Sequence, residues 1–170
     1  SEMCIRDRGY QAVQGCRRPL SLETNAACFD YISEAMNDQM VRAGKAGMGL
    51  SAEISGSGMA FDFAVYKHAI RSVDFMSPVH DKTFLLELIK KGVHVYYEPR
   101  AVLYEEKTEA FDDMQNQRTR WIGGQFYLAK TYFFSLLKLG LRQRRLDPID
   151  YALTLAKIPR ALHVVGLLFW

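Results

Sequence analysis

The chain has little cysteine, and what it has is not arranged for cross-linking. Cys4, Cys16 and Cys28 are odd in number among the 170 residues, and no pair has C-x-x-C spacing. This pattern argues against a disulfide-rich scaffold and a cysteine-based zinc site, and it favours a reducing compartment. Each cysteine is better explained as a small buried apolar side chain than as a nucleophile.

The chain also has neither an N-terminal stretch that resembles a signal peptide nor an apolar run that is, as it stands, long enough to cross a membrane. Residues 1–8 have no helical or strand periodicity, and we predict that they are a non-native leader. The apolar run at residues 161–170 is shorter than the roughly 20 residues of a spanning helix. It fits a truncated span, an interfacial helix or a core helix. We therefore predict a leader at 1–8, a main domain at 9–140 and a basic, apolar helical segment at 141–170, all belonging to a fragment.

Net charge is small but very unevenly distributed. The formal net charge is +3, yet residues 1–117 hold 13 Lys/Arg against 17 Asp/Glu, while residues 118–170 hold 9 against 2. The C-terminal third is therefore predicted to face the phosphates of a nucleotide, a phospholipid surface or nucleic acid. We predict no nucleic-acid partner, because interleaved exposed aromatics and a known binding module are both lacking.

Apolar periodicity and turn residues predict alternating helices and short strands, and hence an α/β domain. Strands are predicted at 11–15, 54–63, 93–97 and 101–105. Helices are predicted from Ser21 or Thr24 to about Gly44, at 64–70, between Pro78 and Gly92, at 109–139 with a break at Gly123-Gly124, and from Asp147 onward. The apolar positions of the first helix include Phe29, Ile32, Met36 and Met40.

Gly56, Ser57 and Gly58 form the first segment with functional potential. A β-bulge or tight turn explains the two glycines, because glycine adopts backbone conformations closed to other residues. Such a loop would also let a sugar approach the backbone closely. Taken alone, the structural explanation is favoured, since short glycine patterns are common.

The second segment is His80-Asp81, at the start of a predicted helix. Asp81 is either a helix N-cap or a general base facing a cleft. A hydroxyl is a poor nucleophile until a positioned carboxylate takes its proton. His80 is more often structural or solvent-facing than catalytic, although an imidazole can support proton transfer near neutral pH.

The third segment places Gln117, Arg120 and Trp121 on one face of a predicted helix, at spacings of three and four. A helix with a core tryptophan and a solvated arginine has the same pattern. The combination also suits a sugar diphosphate, because a guanidinium matches phosphate oxygens and an indole face stacks on a sugar ring. The glutamine amide can bond a hydroxyl or a phosphate.

The order and spacing of these segments resemble the family 2 glycosyltransferases. These are inverting enzymes of the GT-A fold and include the cellulose, chitin and hyaluronan synthases. The resemblance is carried by LLELIKKGVHVYYEPRA at 85–101, YEE at 104–106 and QRTRWIGGQ at 117–125. It implies that residues 9–140 are the C-terminal, acceptor-side part of a Rossmann-like GT-A domain, and residues 9–80 and 122–160 fit this layout more loosely.

The resemblance also implies roles for particular residues. Asp81 matches the catalytic base of the family. His80 stands where the family usually has glutamate, so its supporting role is in doubt. The helix at 117–121 matches the one that lines the diphosphate and acceptor site, and the loop at 56–58 matches the glycine-rich strand beside the acceptor.

One family feature is missing from these residues. The family binds its nucleotide and divalent metal through an N-terminal half that carries an Asp-x-Asp motif. Here Asp112 and Asp113 are adjacent, and Asp147 and Asp150 are too far apart. We therefore expect no metal ligand in this chain, Mg²⁺ or Mn²⁺ bound through the other half, and no activity from this chain alone.

The resemblance implies inverting transfer of a sugar from a UDP- or GDP-sugar to a saccharide or lipid-linked acceptor. Arg142, Arg144 and Arg145 precede the apolar C-terminal segment, which favours attachment to the cytoplasmic face of a membrane. Two alternatives remain open. One is a non-catalytic module that binds carbohydrate or nucleotide, and the other is a membrane-surface interaction domain.

Overall fold

The computed structural model describes residues 7–73, 79–106 and 111–158, without the side chains of residues 111–114. In chain order its elements are β1 (Ala12–Pro19), α1 (Asn25–Asn37), a π-helical turn (Asp38–Ala43), α2 (Gly44–Gly47), β2 (Met59–Phe61), α3 (Phe63–Ile70), α4 (His80–Lys90), β3 (Val95–Glu105), α5 (Phe111–Gln143) and α6 (Leu146–Ala156). This alternation confirms the predicted α/β class. The predicted features at 1–6 and 161–170 lie outside the described residues, and the domain boundaries stay a prediction.

The three strands form one sheet in the order β2-β1-β3. β1 pairs antiparallel with β2 and parallel with β3. The parallel register jumps between Gly15, which pairs with Glu98, and Cys16, which pairs with Val102. Pro99 lies in the resulting bulge, a place where a residue without an N–H is tolerated. The two strands predicted at 93–97 and 101–105 are therefore a single strand with a bulge.

α4 lies at the centre of the hydrophobic core. Its residues Leu85, Leu86, Leu88 and Ile89 are at most 2% exposed. They belong to one cluster with Ala12 and Val95 of the sheet and with Leu128, Leu136, Tyr151 and Leu155 of the last two helices. Burial of each Leu or Ile side chain contributes about 1.5–3 kcal/mol. The helix that begins beside Asp81 is therefore firmly held.

α1 exposes much of the apolar face that its sequence pattern predicts. Thr24 is the N-cap as predicted, and its Oγ1 accepts a hydrogen bond from the Ala27 N–H at 3.1 Å. Four apolar side chains of the predicted face nevertheless are 45–57% exposed, namely Phe29, Ile32 and Met36 of α1 and Met40 of the following π-helical turn. The buried side of the helix is made by the small residues Ala26 and Ala27 instead.

α5 runs without interruption for 33 residues, so the predicted break at Gly123-Gly124 is wrong. Each glycine weakens a helix by about 1 kcal/mol relative to alanine. Burial of Leu128 and Leu136 against the core outweighs this cost. Across the ranges that the structure describes, no helix is both long enough and apolar enough to cross a bilayer.

Candidate functional site

The glycine loop, Ser55–Gly58, leads into β2. A strand was predicted over 54–63, but only Met59–Phe61 is extended and paired. Gly56 and Gly58 have φ angles of 75° and 65°, a left-handed backbone that a strand does not contain and that favours glycine. The loop is therefore a tight turn, and its shape depends on both glycines.

The buried side chain of Gln14 holds this loop from the sheet side. Its Nε2 donates to the carbonyl oxygens of Gly15 at 2.9 Å and Ser57 at 3.0 Å, and its Oε1 accepts from the Ser55 N–H at 3.1 Å. A buried amide is tolerated only when both of its ends are paired. These bonds fix the loop backbone on both sides of Gly56.

An ion pair between Arg17 and Glu105 holds the loop on another side. Arg17 Nε and Nη2 donate to the two carboxylate oxygens of Glu105 at 2.9 and 2.5 Å. Arg17 Nη1 donates to the Ser55 carbonyl at 3.1 Å, and Ser57 Oγ donates to Glu105 Oε2 at 2.9 Å. The two charged side chains are 19% and 18% exposed. One bidentate pair therefore binds both the backbone and the hydroxyl of the loop.

A buried charge network continues behind this pair. Arg17 Nη1 lies 3.4 Å from Glu34 Oε1, which is also 2.8 Å from Arg42 Nη1. Arg42 in turn forms an ion pair with Asp38 at 2.8 Å. Buried charges are tolerated when each is paired, so the network anchors Arg17 to the π-helical turn.

Asp38 ends the network in the interior. It accepts hydrogen bonds from Cys16 Sγ at 3.0 Å and from Tyr97 Oη at 2.7 Å. Burial raises the pKa of the Asp38 carboxyl, but bonds from Cys16, Arg42 and Tyr97 outweigh it and hold that pKa below its ordinary value. Burial raises the pKa of the Cys16 thiol, which disfavours the thiolate. Cys16 is thus buried as predicted, although its thiol also donates a hydrogen bond.

Asp81 lies half-buried in the first turn of α4. The N-cap of that helix is Val79, which makes no side-chain cap bond, so the alternative in which Asp81 is merely the N-cap is wrong. Its Oδ1 accepts from the Lys82 N–H at 2.8 Å. The carboxylate sits where the free N–H groups of a helix start stabilise negative charge. His80, the first residue of the helix, is exposed.

Lys82 connects the Asp81 helix to α5 and α6. Its Nζ donates to Gln125 Oε1 at 2.5 Å. The Gln125 Nε2 donates to the last carbonyl oxygens of α6 and beyond, at residues 154, 155 and 157, over 3.0–3.4 Å. Burial lowers the pKa of the Lys82 amine. The three helices therefore meet at one hydrogen-bonded junction beside Asp81.

Gln117, Arg120 and Trp121 lie near the start of α5. Trp121 is 43% exposed, so it is not the core tryptophan that the structural alternative requires. Arg120 is exposed and Gln117 is half-buried. Arg118, between them, points to α1, with its Nη2 3.6 Å from Asp30 and its guanidinium 5.4 Å from the centre of the Phe29 ring.

The predicted residues are connected through their neighbours. Within the described ranges, no hydrogen bond or ion pair joins Asp81 to the glycine loop or to the 117–121 segment. Phe61 of β2 packs edge-on against Phe84 of α4 with ring centres 5.0 Å apart. Since Lys82 reaches α5 from the same helix, α4 supports both other parts of the candidate site.

The described residues contain no group of three His, Cys, Asp or Glu side chains that could hold a metal ion. The binding of Mg²⁺ or Mn²⁺ that the family resemblance implies stays a prediction.

Sequence reasoning missed Gln14, Arg17 and Glu105. The available signal was a charge pattern, with arginines near the end of one predicted strand and glutamates at the end of another. Parallel strands bring their carboxyl ends to one edge of a sheet, so these opposite charges could have been expected to meet. The first strand was predicted to end at Gly15, before Arg17, although β1 continues to Pro19.

A comparison with known protein families agrees with the family resemblance of the sequence. The family model described as glycosyl transferase family group 2 matches residues 1–170. No curated protein matches the chain. The mixed α/β structure with its three-stranded sheet is consistent with part of a GT-A domain. The chain therefore belongs to glycosyl transferase family group 2.

Proposed function

We propose that this chain is the acceptor-side part of an inverting glycosyltransferase of the cellulose, chitin and hyaluronan synthase group. It would transfer a sugar from a UDP- or GDP-sugar to a saccharide or lipid-linked acceptor. Family membership supports sugar transfer in general. The observation that carries the finer proposal is the half-buried Asp81 at the start of the core helix, linked through Lys82 to the helix that bears Trp121.

In this proposal Asp81 takes the proton of an acceptor hydroxyl while that oxygen attacks the anomeric carbon. The bond to the nucleoside diphosphate breaks with inversion, and its electron pair leaves with the diphosphate. The exposed Arg120 would stabilise the departing charge, and Gln117 would bond a phosphate or hydroxyl oxygen. The open indole of Trp121 would stack on the acceptor ring. A donor-binding half, with its Mg²⁺ or Mn²⁺, would be contributed by residues outside these ranges.

Asp81→Asn tests the base in the enzyme that contains the donor-binding half. Asparagine keeps the size of the side chain and an oxygen for the Lys82 N–H, but it cannot take the proton. We expect turnover, measured as nucleoside diphosphate release with UDP- and GDP-sugars, to fall by at least about a hundredfold. Near-native turnover would remove Asp81 from the mechanism.

Asp62 provides a matched control for this substitution. It also stands at a helix start, where its Oδ1 accepts from the N–H groups of Ala64 and Val65. Asparagine is an equally good N-cap, so Asp62→Asn should leave both turnover and stability close to native. An equal loss in both variants would indicate a general effect on folding.

Two outcomes would favour other functions. Saturable binding of a nucleotide sugar or oligosaccharide, with no diphosphate release by the native enzyme, would favour a binding module without catalysis. Salt-sensitive binding to vesicles with no affinity for nucleotide sugars would favour a membrane-surface interaction domain.

We also propose that the enzyme binds the cytoplasmic face of a membrane through one side of α5. Large apolar side chains are exposed there together with basic ones, a combination that suits an interfacial helix. The apolar residues are Ile122, Phe126, Tyr127, Phe134 and Leu141, and the basic ones are Lys130, Lys138 and Arg142. Arg144 is exposed as well, whereas Arg145 is engaged with the Ile89 carbonyl at 3.2 Å.

Sedimentation with vesicles tests the membrane proposal. The protein should pellet with vesicles that contain phosphatidylserine at low salt, less so at 0.5 M salt, and hardly at all with neutral vesicles. Replacing Phe134 and Leu141 by serine should weaken binding. Protein that stays in the supernatant with anionic vesicles at low salt would contradict the proposal.

A further inference from the structure

We propose that Arg17 and Glu105 are positioning residues for acceptor binding, because they orient the Ser57 hydroxyl so that it presents only an oxygen lone pair to a ligand. The inference rests on the proposed function in one respect, namely that the ligand beside the glycine loop is the acceptor sugar. It predicts that Ser57 selects a hydroxyl that donates a hydrogen bond.

The argument begins with the proton of Ser57. A serine hydroxyl has one hydrogen to donate and two lone pairs that can accept. Ser57 Oγ donates its hydrogen to Glu105 Oε2 at 2.9 Å. An ionised carboxylate can only accept, so this bond has one possible direction. Ser57 can then offer a ligand an acceptor oxygen and nothing else.

Arg17 keeps Glu105 in this role. Its bidentate bonds to both carboxylate oxygens, at 2.9 and 2.5 Å, match the planar forks of the two groups. Its third nitrogen, Nη1, is held by the Ser55 carbonyl at 3.1 Å and lies 3.4 Å from Glu34. The guanidinium is therefore fixed on two further sides and cannot swing toward solvent without breaking those contacts.

The backbone of the glycine loop fixes the position from which the Ser57 side chain extends. Gly56 and Gly58 flank Ser57 with left-handed φ angles, and the amide of Gln14 bonds the carbonyl of Ser57 and the N–H of Ser55. Ser57 itself is only half-buried, so part of the residue faces solvent. A preorganised acceptor of this kind favours a ligand that supplies the matching donor.

Glu105→Gln is the sharpest test, because it keeps the shape of the side chain and removes its charge. The new amide can donate to Ser57 Oγ, which fills the lone pair meant for the ligand and frees the hydroxyl hydrogen. We expect the KM for the acceptor that supports native turnover to rise about five- to tenfold, the effect of one lost hydrogen bond. The kcat and the KM for the nucleotide sugar should stay native.

Ser57 variants test the same bond from the other side. Ser57→Ala should raise the acceptor KM similarly, and Ser57→Thr, which keeps the hydroxyl, should restore it. Because both substitutions act on one bond, adding Glu105→Gln to Ser57→Ala should cause no further rise. If Glu105→Gln does not fold, a native acceptor KM in Ser57→Ala would still overturn the inference, because the oriented hydroxyl would then make no contact with the acceptor.

Glu98→Gln is the matched control on the same strand. Glu98 forms a similar bidentate pair with Arg100, at 2.9 and 3.0 Å. The KM of the Glu98→Gln enzyme for the acceptor should equal that of the native enzyme. An equal acceptor KM in Glu105→Gln and Glu98→Gln, with an active native enzyme, would overturn the inference alone. Native turnover in Asp81→Asn would instead overturn the proposed role of Asp81 as the base. The effect of the Ser57 variants on the acceptor KM could still be interpreted in that case.

Discussion

Gly15 lies where β1, β3 and the glycine loop approach one another closely, and Gly15→Ala tests whether that approach is essential. A Cβ at this position would lie 2.4 Å from the Ala101 carbonyl oxygen and 3.1 Å from that of Gly58. Both are backbone atoms, so no side chain can rotate to make room. Either the strands separate or the loop moves.

The cost can be worked out from these distances. Carbon and carbonyl oxygen atoms in weak contact are about 3.3–3.6 Å apart, so the backbone must yield by roughly 1 Å at Ala101. Overpacking of this kind costs about 1–3 kcal/mol. Displacing Gly58 also weakens the bond from the Gly15 N–H to its carbonyl, now 2.8 Å long, which contributes about 1 kcal/mol. We expect the free energy of unfolding to fall by about 2–4 kcal/mol.

Urea unfolding followed by tryptophan fluorescence measures this change. The midpoint should fall while the m-value stays constant, since the exposed area is nearly the same. Gly47→Ala is the control, because its added Cβ would have no atom within 4 Å apart from its chain neighbours and its own helix backbone, and alanine is the better helix former. That variant should be as stable as the native protein or slightly more so. A Gly15→Ala midpoint equal to the native one would refute the reasoning.

Three further perturbations have defined outcomes. Lys82→Met removes the amine that bonds Gln125, so kcat should fall about tenfold through misalignment while the melting temperature changes little; an unchanged kcat would contradict the junction's role. Trp121→Ala should raise the KM for the acceptor more than that for the nucleotide sugar, and an unaffected acceptor response in the same assay would indicate a structural indole. The pKa of Asp38 lies below its ordinary value of 3.8, so its stabilisation is present above that pH and is lost as the pH falls through the folded-state pKa. Asp38→Asn should therefore lower the free energy of unfolding by about 3 kcal/mol at pH 7, and its difference from native should shrink in acid; equal differences at pH 7 and 2.5 would contradict this.

The fold was predictable where the signal is local. Thr24 marks a helix start through its hydroxyl, and Gly92 marks the end of α4 because it adopts a left-handed φ of 80°. The continuity of β3 was not predictable, since its bulge depends on the strand that lies beside it. Periodicity also identified the face that bears Phe29, but it cannot say whether that face meets the core or solvent.

In the candidate site, too, the residues with a local sequence signal could be predicted and those without one could not. Asp81 and Trp121 could be selected because short motifs carry them at recognisable spacing. The pair of Arg17 and Glu105 joins residues that are 88 positions apart. Their meeting depends on sheet pairing and register, and neither is encoded in the local sequence around either residue.

Because α5 is unbroken, a movement at one end of the helix is transmitted to the other end. From Trp121 to Arg142 it rises by about 32 Å, at 1.5 Å per residue. A tilt of about 5° about Gln125, which lies about 6 Å along the helix from Trp121, would shift the helix at the indole by roughly 0.5 Å, while a misplacement of about 1 Å can cost about a hundredfold in rate. Gln125, bonded to Lys82, is the fixed point of this tilt. A membrane or partner that binds the basic end of α5 would therefore also change the position of the Trp121 indole.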